Sequence, residues 1–473
     1  MPRARSVLIL GCLLTPILEG GQQEPGLRLL FTGDILLSRQ VRREIELTGR
    51  SPWTPFESLF RSATWVAGNL EGAVGAAEDC SPADSDAPCF DISPAMIPLL
   101  SKAGFRAIGM ANNHSSDLGP AGRAATREAL RQAGLEVLSF EDSPLFTTLG
   151  PHTVAIIALS EVPGRDGSRI EIPSTALRQK LQLARSLAEL VIVYIHWGSE
   201  LLDWPDAGQR HAAQWLIRNG ADLIVGHHPH VVQAPECVLG RPVFFSLGNH
   251  VFDQKYPETK QGLIADCRIR GGVLSCSGIA TSAAPGSAMP QLASAGADDF
   301  RACPVTLSRP AAVSGFALRG RMTEGGDGKS LYVIEGTREG TRSWRSQALP
   351  LLSAEAGKLA GANGPEYLFT LEQHSSSIDG EEGVRPYVYE ARAGGLVARW
   401  RGSALAWPLL DARLLPEGDG VLCALHRRDS FLVLEPKATG ARVAAYRWNG
   451  FGFSGIDDPS ILAQCRVLFG AGE

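Results

Sequence analysis

The chain has no Cys-x-x-Cys pair, no basic stripe interleaved with aromatics, and no long apolar run beyond its first residues. The first absence argues against a cysteine-ligated zinc site. The second removes nucleic acid from the expected partners. The third leaves no transmembrane helix past the N-terminal segment. Charge of either sign is also scarce in excess: the net charge is -5 over 473 residues, which makes no case for an anionic membrane surface. What is present, 44% hydrophobic and 20% charged residues, suits a globular protein too long for one core, so two domains are expected.

The N-terminus reads as an export signal over residues 1–26, with Arg3 and Arg5 ahead of the apolar stretch Val7 to Leu18. Ile9-Leu10-Gly11-Cys12 resembles a bacterial lipobox, so the expected location is periplasmic, secreted or lipid-anchored. Cys80 and Cys89 flank a polar loop and are expected to close it as a disulfide in an oxidising compartment. Cys237, Cys267, Cys276, Cys303, Cys423 and Cys465 are scattered, and most are read as buried unpaired thiols.

From Leu27 to about residue 280, short apolar runs alternate with helical stretches. Leu29–Thr32, Ala107–Met110, Val154–Ala158, Leu190–Ile195 and Val243–Phe245 read as buried strands. Pro94–Ala103, Gly119–Ala133, Ser174–Ala188 and Asp206–Asn219 carry helical periodicity. Alternation of this kind predicts an α/β domain over 27–280. Gly271-Gly272 marks a closing hairpin, and 281–300, rich in Ala, Ser, Gly and Pro, reads as a linker. Residues 301–473 read as an all-β domain, propeller-like or a sandwich, that binds or packs.

Polar clusters follow the strand-like runs. Asp34 follows Gly33, a carboxylate at a sharp turn. Asn69 and Glu71 share one side of an extended segment. Asn112-Asn113-His114 with Asp117 offers an amide ligand, a general acid and a carboxylate to orient it. His196 ends a buried strand, with Glu200 nearby to accept the other ring N–H of a ligating imidazole. His228-Pro229-His230 places two imidazoles on one side of an extended segment, with His227 facing the other way, toward substrate. Gln233, Asn249 and Asp253 complete the series as polar contacts around the site.

These motifs, in this order between about Leu29 and Ile269, resemble the CapA family, the poly-γ-glutamate capsule-synthesis proteins. That family is similar to the calcineurin-like metallophosphatases, so the resemblance implies two β-sheets sandwiched between helices. It implies Asp34, Glu71, Asn113, His196, His228 and His230 as ligands of one or two divalent metal ions. It implies His114 and Asp117 as the catalytic pair. Asn69, Asn112, Glu200, His227, Gln233, Asn249 and Asp253 are then expected to face substrate. Three departures stand out: Leu36 where the phosphatases carry a histidine, Glu71 in place of aspartate, and His250 where the family often has an aromatic. The implied function is an exported metal-dependent hydrolase or transferase of amide or phosphoester bonds in an envelope polymer. Its partners would be the anionic polymer or its synthase complex. The alternative is a non-catalytic polymer-binding accessory.

Overall fold

A computed structural model describes residues 26–76, 80, 88–293, 303–326, 329–340, 343–361, 363–375, 380–402, 405, 407–416, 420–427 and 441–469. The export signal and lipobox lie outside the described residues, as does the strand expected at Ser430–Leu434.

Two sheets face each other in the first half. One is nine-stranded, with Leu27–Ile35 at its centre between the parallel strand Trp65–Leu70 and the antiparallel strand Gln261–Arg270. The other is six-stranded, with parallel strands His152–Ser160, Leu190–His196, Leu223–His227 and Arg241–Phe244 in its middle. Strand alternation dictates the layering. In Leu190–His196, residues Leu190, Ile192 and Tyr194 enter the core between the sheets, while Val191, Val193 and Ile195 pack outward. Burial on both faces is why these strands read as unbroken apolar runs. Outside the larger sheet pack the helices Arg39–Thr48, Ile97–Ala103 and Gly119–Gln132. Outside the smaller one pack Thr175–Leu187 and Ala207–Arg218. The result is the α/β domain that the sequence pattern predicts, with the two facing sheets that the family resemblance implies.

The expected hairpin joins Gln261–Arg270 to Val273–Ala283, and Gly271 and Gly272 both take the positive φ its two-residue turn requires. The linker expectation needs correction at its start. Val273–Ala283 runs into it, and Pro290–Leu292 adds a further strand, so backbone pairing overrides the small-residue composition there.

The second half is antiparallel throughout: a four-stranded sheet from Ala312 to Arg345 and an eight-stranded sheet from Leu351 to Ile456. No propeller or closed barrel forms among the described residues. The aromatics Trp400, Trp448 and Phe453 pack on one another in a single local core, while Phe451 is exposed. The half is also not purely β, because Pro459–Phe469 is a helix tied by Cys423–Cys465.

One apolar core joins the halves. The helix Thr175–Leu187 lies between the smaller sheet and Phe316, Leu318, Tyr332, Ile334 and Leu368. A Cβ at Gly320 would meet the Phe146 ring at 2.9 Å, so the strand lies directly on that ring. The thiol reading is overturned. Cys237–Cys303, Cys267–Cys276 and Cys423–Cys465 are disulfides, alongside the expected Cys80–Cys89. Cys267 and Cys276 are direct cross-strand partners, a proximity their sequence spacing does not reveal.

Candidate metal centre

Register brings the polar strand ends into two facing rows. Across the larger sheet Asp34 aligns with Asn69, and Asn69 with Gly109. Across the smaller one Ser160 aligns with His196, and His196 with His227. Both rows sit at the carboxyl ends of parallel strands, where open α/β sheets place their sites. Gly109 keeps the rows close, since a Cβ there would lie 2.6 Å from the Tyr194 ring.

Between the rows, ligand-type atoms converge. Glu71, His196 and His228 offer atoms within 4.8 Å of one another, as do Asp34, Glu71 and His230. Asn113 Oδ1 lies 2.8 Å from His196 Nε2, and His228 Nδ1 lies 3.1 Å from the same nitrogen. Two ligands about 2.1 Å from one tetrahedral ion are separated by about 3.4 Å, so this spacing suits a shared cation. All six residues expected as ligands are therefore brought together.

The electrostatics match. Burial holds His196 well below the ordinary imidazole range, and burial with the neighbouring His230 pushes His228 down to about 3. Both are thus neutral and fit to ligate. Burial opposes the charge on Asp34, but hydrogen bonds from His227 and His230 outweigh it and keep Asp34 ionised. Glu71 differs. It is 0% exposed, neither carboxylate oxygen has a hydrogen-bond partner, and burial pushes it up to about 7. Its charge is faced by His230 Nε2 at 3.5 Å, but a buried carboxylate that accepts no hydrogen bond still costs several kcal/mol, roughly, unless a stronger cation sits beside it. The donor set fits a divalent ion on that ground.

His114 stands beside this cluster, with Nε2 3.8 Å from Glu71 Oε1 and its ring 4.1 Å from that of Phe90. Its Nδ1 lies 2.8 Å from Asp117 Oδ2. The carboxylate can only accept, so Nδ1 carries the proton and Nε2 is turned to the site. Asp117 is itself fixed by the Phe90 N–H at 2.7 Å and by Arg165 Nε at 3.2 Å.

Most residues expected to touch substrate are committed to the protein. Asn69 donates to Asp34 Oδ1, and Asn112 donates to Asn69 Oδ1 and the Leu70 carbonyl. His227 is buried against Tyr194 with Nδ1 on Asp34, so it buttresses a ligand instead of facing outward. Gln233 is held by Gln209 and donates to the Leu202 and Trp204 carbonyls, so it pins a loop. Asn249 accepts from His230 Nδ1 at 2.9 Å and orients that ring. Asp253 pairs with Arg39 and accepts from the Gln40 N–H. Glu200 alone of the seven is exposed, its carboxylate within 4.8 Å of the His228 and His230 nitrogens.

The His-Pro-His segment is not extended. His228 and His230 both take positive φ, 98° and 61°, so the chain turns at each imidazole to present it. Positive φ is uncommon outside glycine, and such residues cluster at functional sites. Tyr194 escaped the motif reading, although it precedes His196 by two residues on the same strand face. Phe90 and Phe252 escaped it too. They pack with Leu36 into an apolar cluster at the position where a histidine was expected.

A two-sheet α/β sandwich with this acid, amide and imidazole set at its strand ends defines a protein of the metallophosphatase-like superfamily. Residues 28–254, just under half of the chain, match the family described as bacterial capsule synthesis protein PGA_cap, and over this segment the chain is similar to the CapA proteins. It is 29% identical to the PGA biosynthesis protein CapA of Bacillus subtilis (strain 168) over 255 residues, 51% of this chain and 67% of the relative. It is 27% identical to the capsule biosynthesis protein CapA of Bacillus anthracis over 263 residues, 52% of this chain and 64% of the relative. A probable polyglutamine synthesis accessory protein of Mycobacterium tuberculosis (strain CDC 1551 / Oshkosh) is 28% identical over 251 residues, 47% of this chain and 65% of the relative. The chain thus spans about two thirds of the length of these relatives, between 64% and 67%.

Proposed function

We propose that this chain acts on an anionic polymer of the cell envelope, poly-γ-glutamate or a similar acid, as a metal-dependent hydrolase or transferase of amide or phosphoester bonds. The observation that carries the reading is Glu71, a buried carboxylate without a hydrogen-bond partner, facing the His196, His228 and His230 imidazoles. The printed names of the relatives, capsule and PGA biosynthesis, supply the polymer class. Four disulfides favour an exported protein, since such bonds persist in oxidising compartments. No helix among the described residues is long and apolar enough to cross a membrane.

Asp34, Glu71, Asn113, His196, His228 and His230 would hold the divalent cation. Bound there, it supplies Lewis-acid polarisation of a carbonyl or phosphoryl oxygen. Asp117 fixes the proton on His114 Nδ1 and stabilises the imidazolium, so Nε2 can donate to the leaving group. Phe90 covers one ring face of His114 and keeps water from it.

The accessory reading has one observation in its favour: Leu36, Phe90 and Phe252 fill with apolar side chains the place of a superfamily ligand. Metal analysis of the purified protein, then turnover of oligo-γ-glutamate and a phosphodiester by wild type and His114→Ala, separates the two. Bound metal in both proteins, with turnover lost in the variant, supports catalysis. Metal-free protein that still binds the polymer replaces it with the accessory reading.

A further inference from the structure

A second basin lies at the other end of the smaller sheet. It is a cavity of about 840 Å³ between the helix Thr175–Leu187, the turn at Arg218–Gly220 and the strands Leu351–Gly357 and Leu409–Leu414. Its size is that of a pocket for a molecule of many atoms, not a single small anion. Arg185, Arg218, Arg309, Lys358 and Arg413 line it, against one carboxylate, Glu355. Arg185 is committed to Asp222 at 2.5 Å. Arg218 and Arg309 are exposed and make no ion pair among the described residues. Arg413 reaches the Leu468 carbonyl at 3.3 Å, and its Nε faces Glu355 at 4.0 Å without a hydrogen bond.

The floor adds an independent sign. Gln182 is 8% exposed, and both its amide nitrogen and its amide oxygen are buried with no partner in the protein. Leaving such groups unpaired costs about 1–3 kcal/mol each. A group that offers one acceptor and one donor together, as another amide does, satisfies both.

We propose that this cavity binds an acidic polyamide, with carboxylates on Arg218, Arg309 and Arg413 and a backbone amide on Gln182. The ligand is of the polymer class of the proposed function, but the assignment uses no residue of the metal centre. Arg218–Gly220 precedes the strand Leu223–His227, whose far end carries His227. Seven residues of extended chain separate the sites by roughly 20 Å.

Binding of a fluorescein-labelled oligo-γ-glutamate to the full chain, followed by anisotropy, tests this. The probes for comparison are polyacrylate, which has carboxylates without amides, and polyphosphate. Charge reversal at Arg218→Glu with Arg309→Glu is expected to weaken oligo-γ-glutamate binding by about ten-fold or more. Gln182→Leu is expected to weaken oligo-γ-glutamate but not polyacrylate. Both variants should keep the wild-type metal content, and chelated protein should keep the binding, whatever becomes of the metal-centre reading. No binding by wild type, unchanged affinity in the double variant, or equal losses for all three probes in Gln182→Leu overturns the proposal. If charge reversal unfolds the chain, Arg218→Gln with Arg309→Gln is measured in its place.

Discussion

His250 is fully enclosed, with both ring nitrogens buried and unpartnered and its ring centroid 4.9 Å from that of Phe56. Burial pushes it down to about 3, so it sits as a neutral aromatic ring. Between its unfolded value near 6.5 and about 3, the unfolded chain binds a proton the folded chain refuses, so this residue lowers stability as pH falls. His250→Phe is expected to raise stability at pH 7 by about 1–3 kcal/mol. The gap should widen by about 1.4 kcal/mol per unit below pH ~6, read from urea melts across pH. The Asp117 contact gives a kinetic expectation. Asp117→Asn should lower kcat by about 100-fold or more with metal content unchanged, measured on whichever polymer bond proves labile. The candidate ligands were legible because Asp34, His196 and His228 are strongly polar residues at or just beyond the ends of apolar strands. The duties of Asn69, Gln233 and Asn249 were not, because a polar side chain looks alike in sequence whether it meets a substrate or a neighbouring backbone carbonyl.

The helix Ala207–Arg218 begins with a full capping box: Asp206 accepts from the Gln209 N–H at 2.8 Å, and Gln209 accepts from the Asp206 N–H at 3.1 Å. Gln209 also holds Gln233, which pins the loop after His196. Asp206→Ala is expected to cost about 1 kcal/mol in thermal or urea unfolding. Gln209→Ala should cost more and raise hydrogen exchange across 198–206. Elements of this kind were readable in advance: Ser174 and Asp206 stand as caps where the helical periodicity starts. The helix Arg39–Thr48 was not, since only Val41 and Ile45 of it are buried and charged residues supply most of the rest. The propeller expectation failed for a related reason. Aromatics recurring along antiparallel strands mark an apolar face, and that pattern is common to a sandwich and a blade.

At the scale of the whole molecule, a shared apolar core holds the two halves together, while the disulfides staple segments elsewhere in the fold. Cys237–Cys303 closes a sequence separation of 66 residues, the longest of the disulfides found. Cys237→Ser with Cys303→Ser is expected to cost about 4 kcal/mol in chemical unfolding, against about 2.5 kcal/mol for removing the Cys267–Cys276 link. Residues 26–293 expressed alone should aggregate or melt earlier than the full chain. They would bare the outer side of Thr175–Leu187, where Leu318, Tyr332 and Leu368 otherwise lie. Composition signalled two textures along the chain but not their fusion, because an apolar residue does not announce which half it will pack against. That fusion also limits how molecules reach the site. A large oily seam does not swing open, so the halves form no hinged jaw. A molecule that reaches the buried imidazoles is then expected to do so past the rim, where Glu200 is exposed within 4.8 Å of the His228 and His230 nitrogens, with no swing of one half on the other.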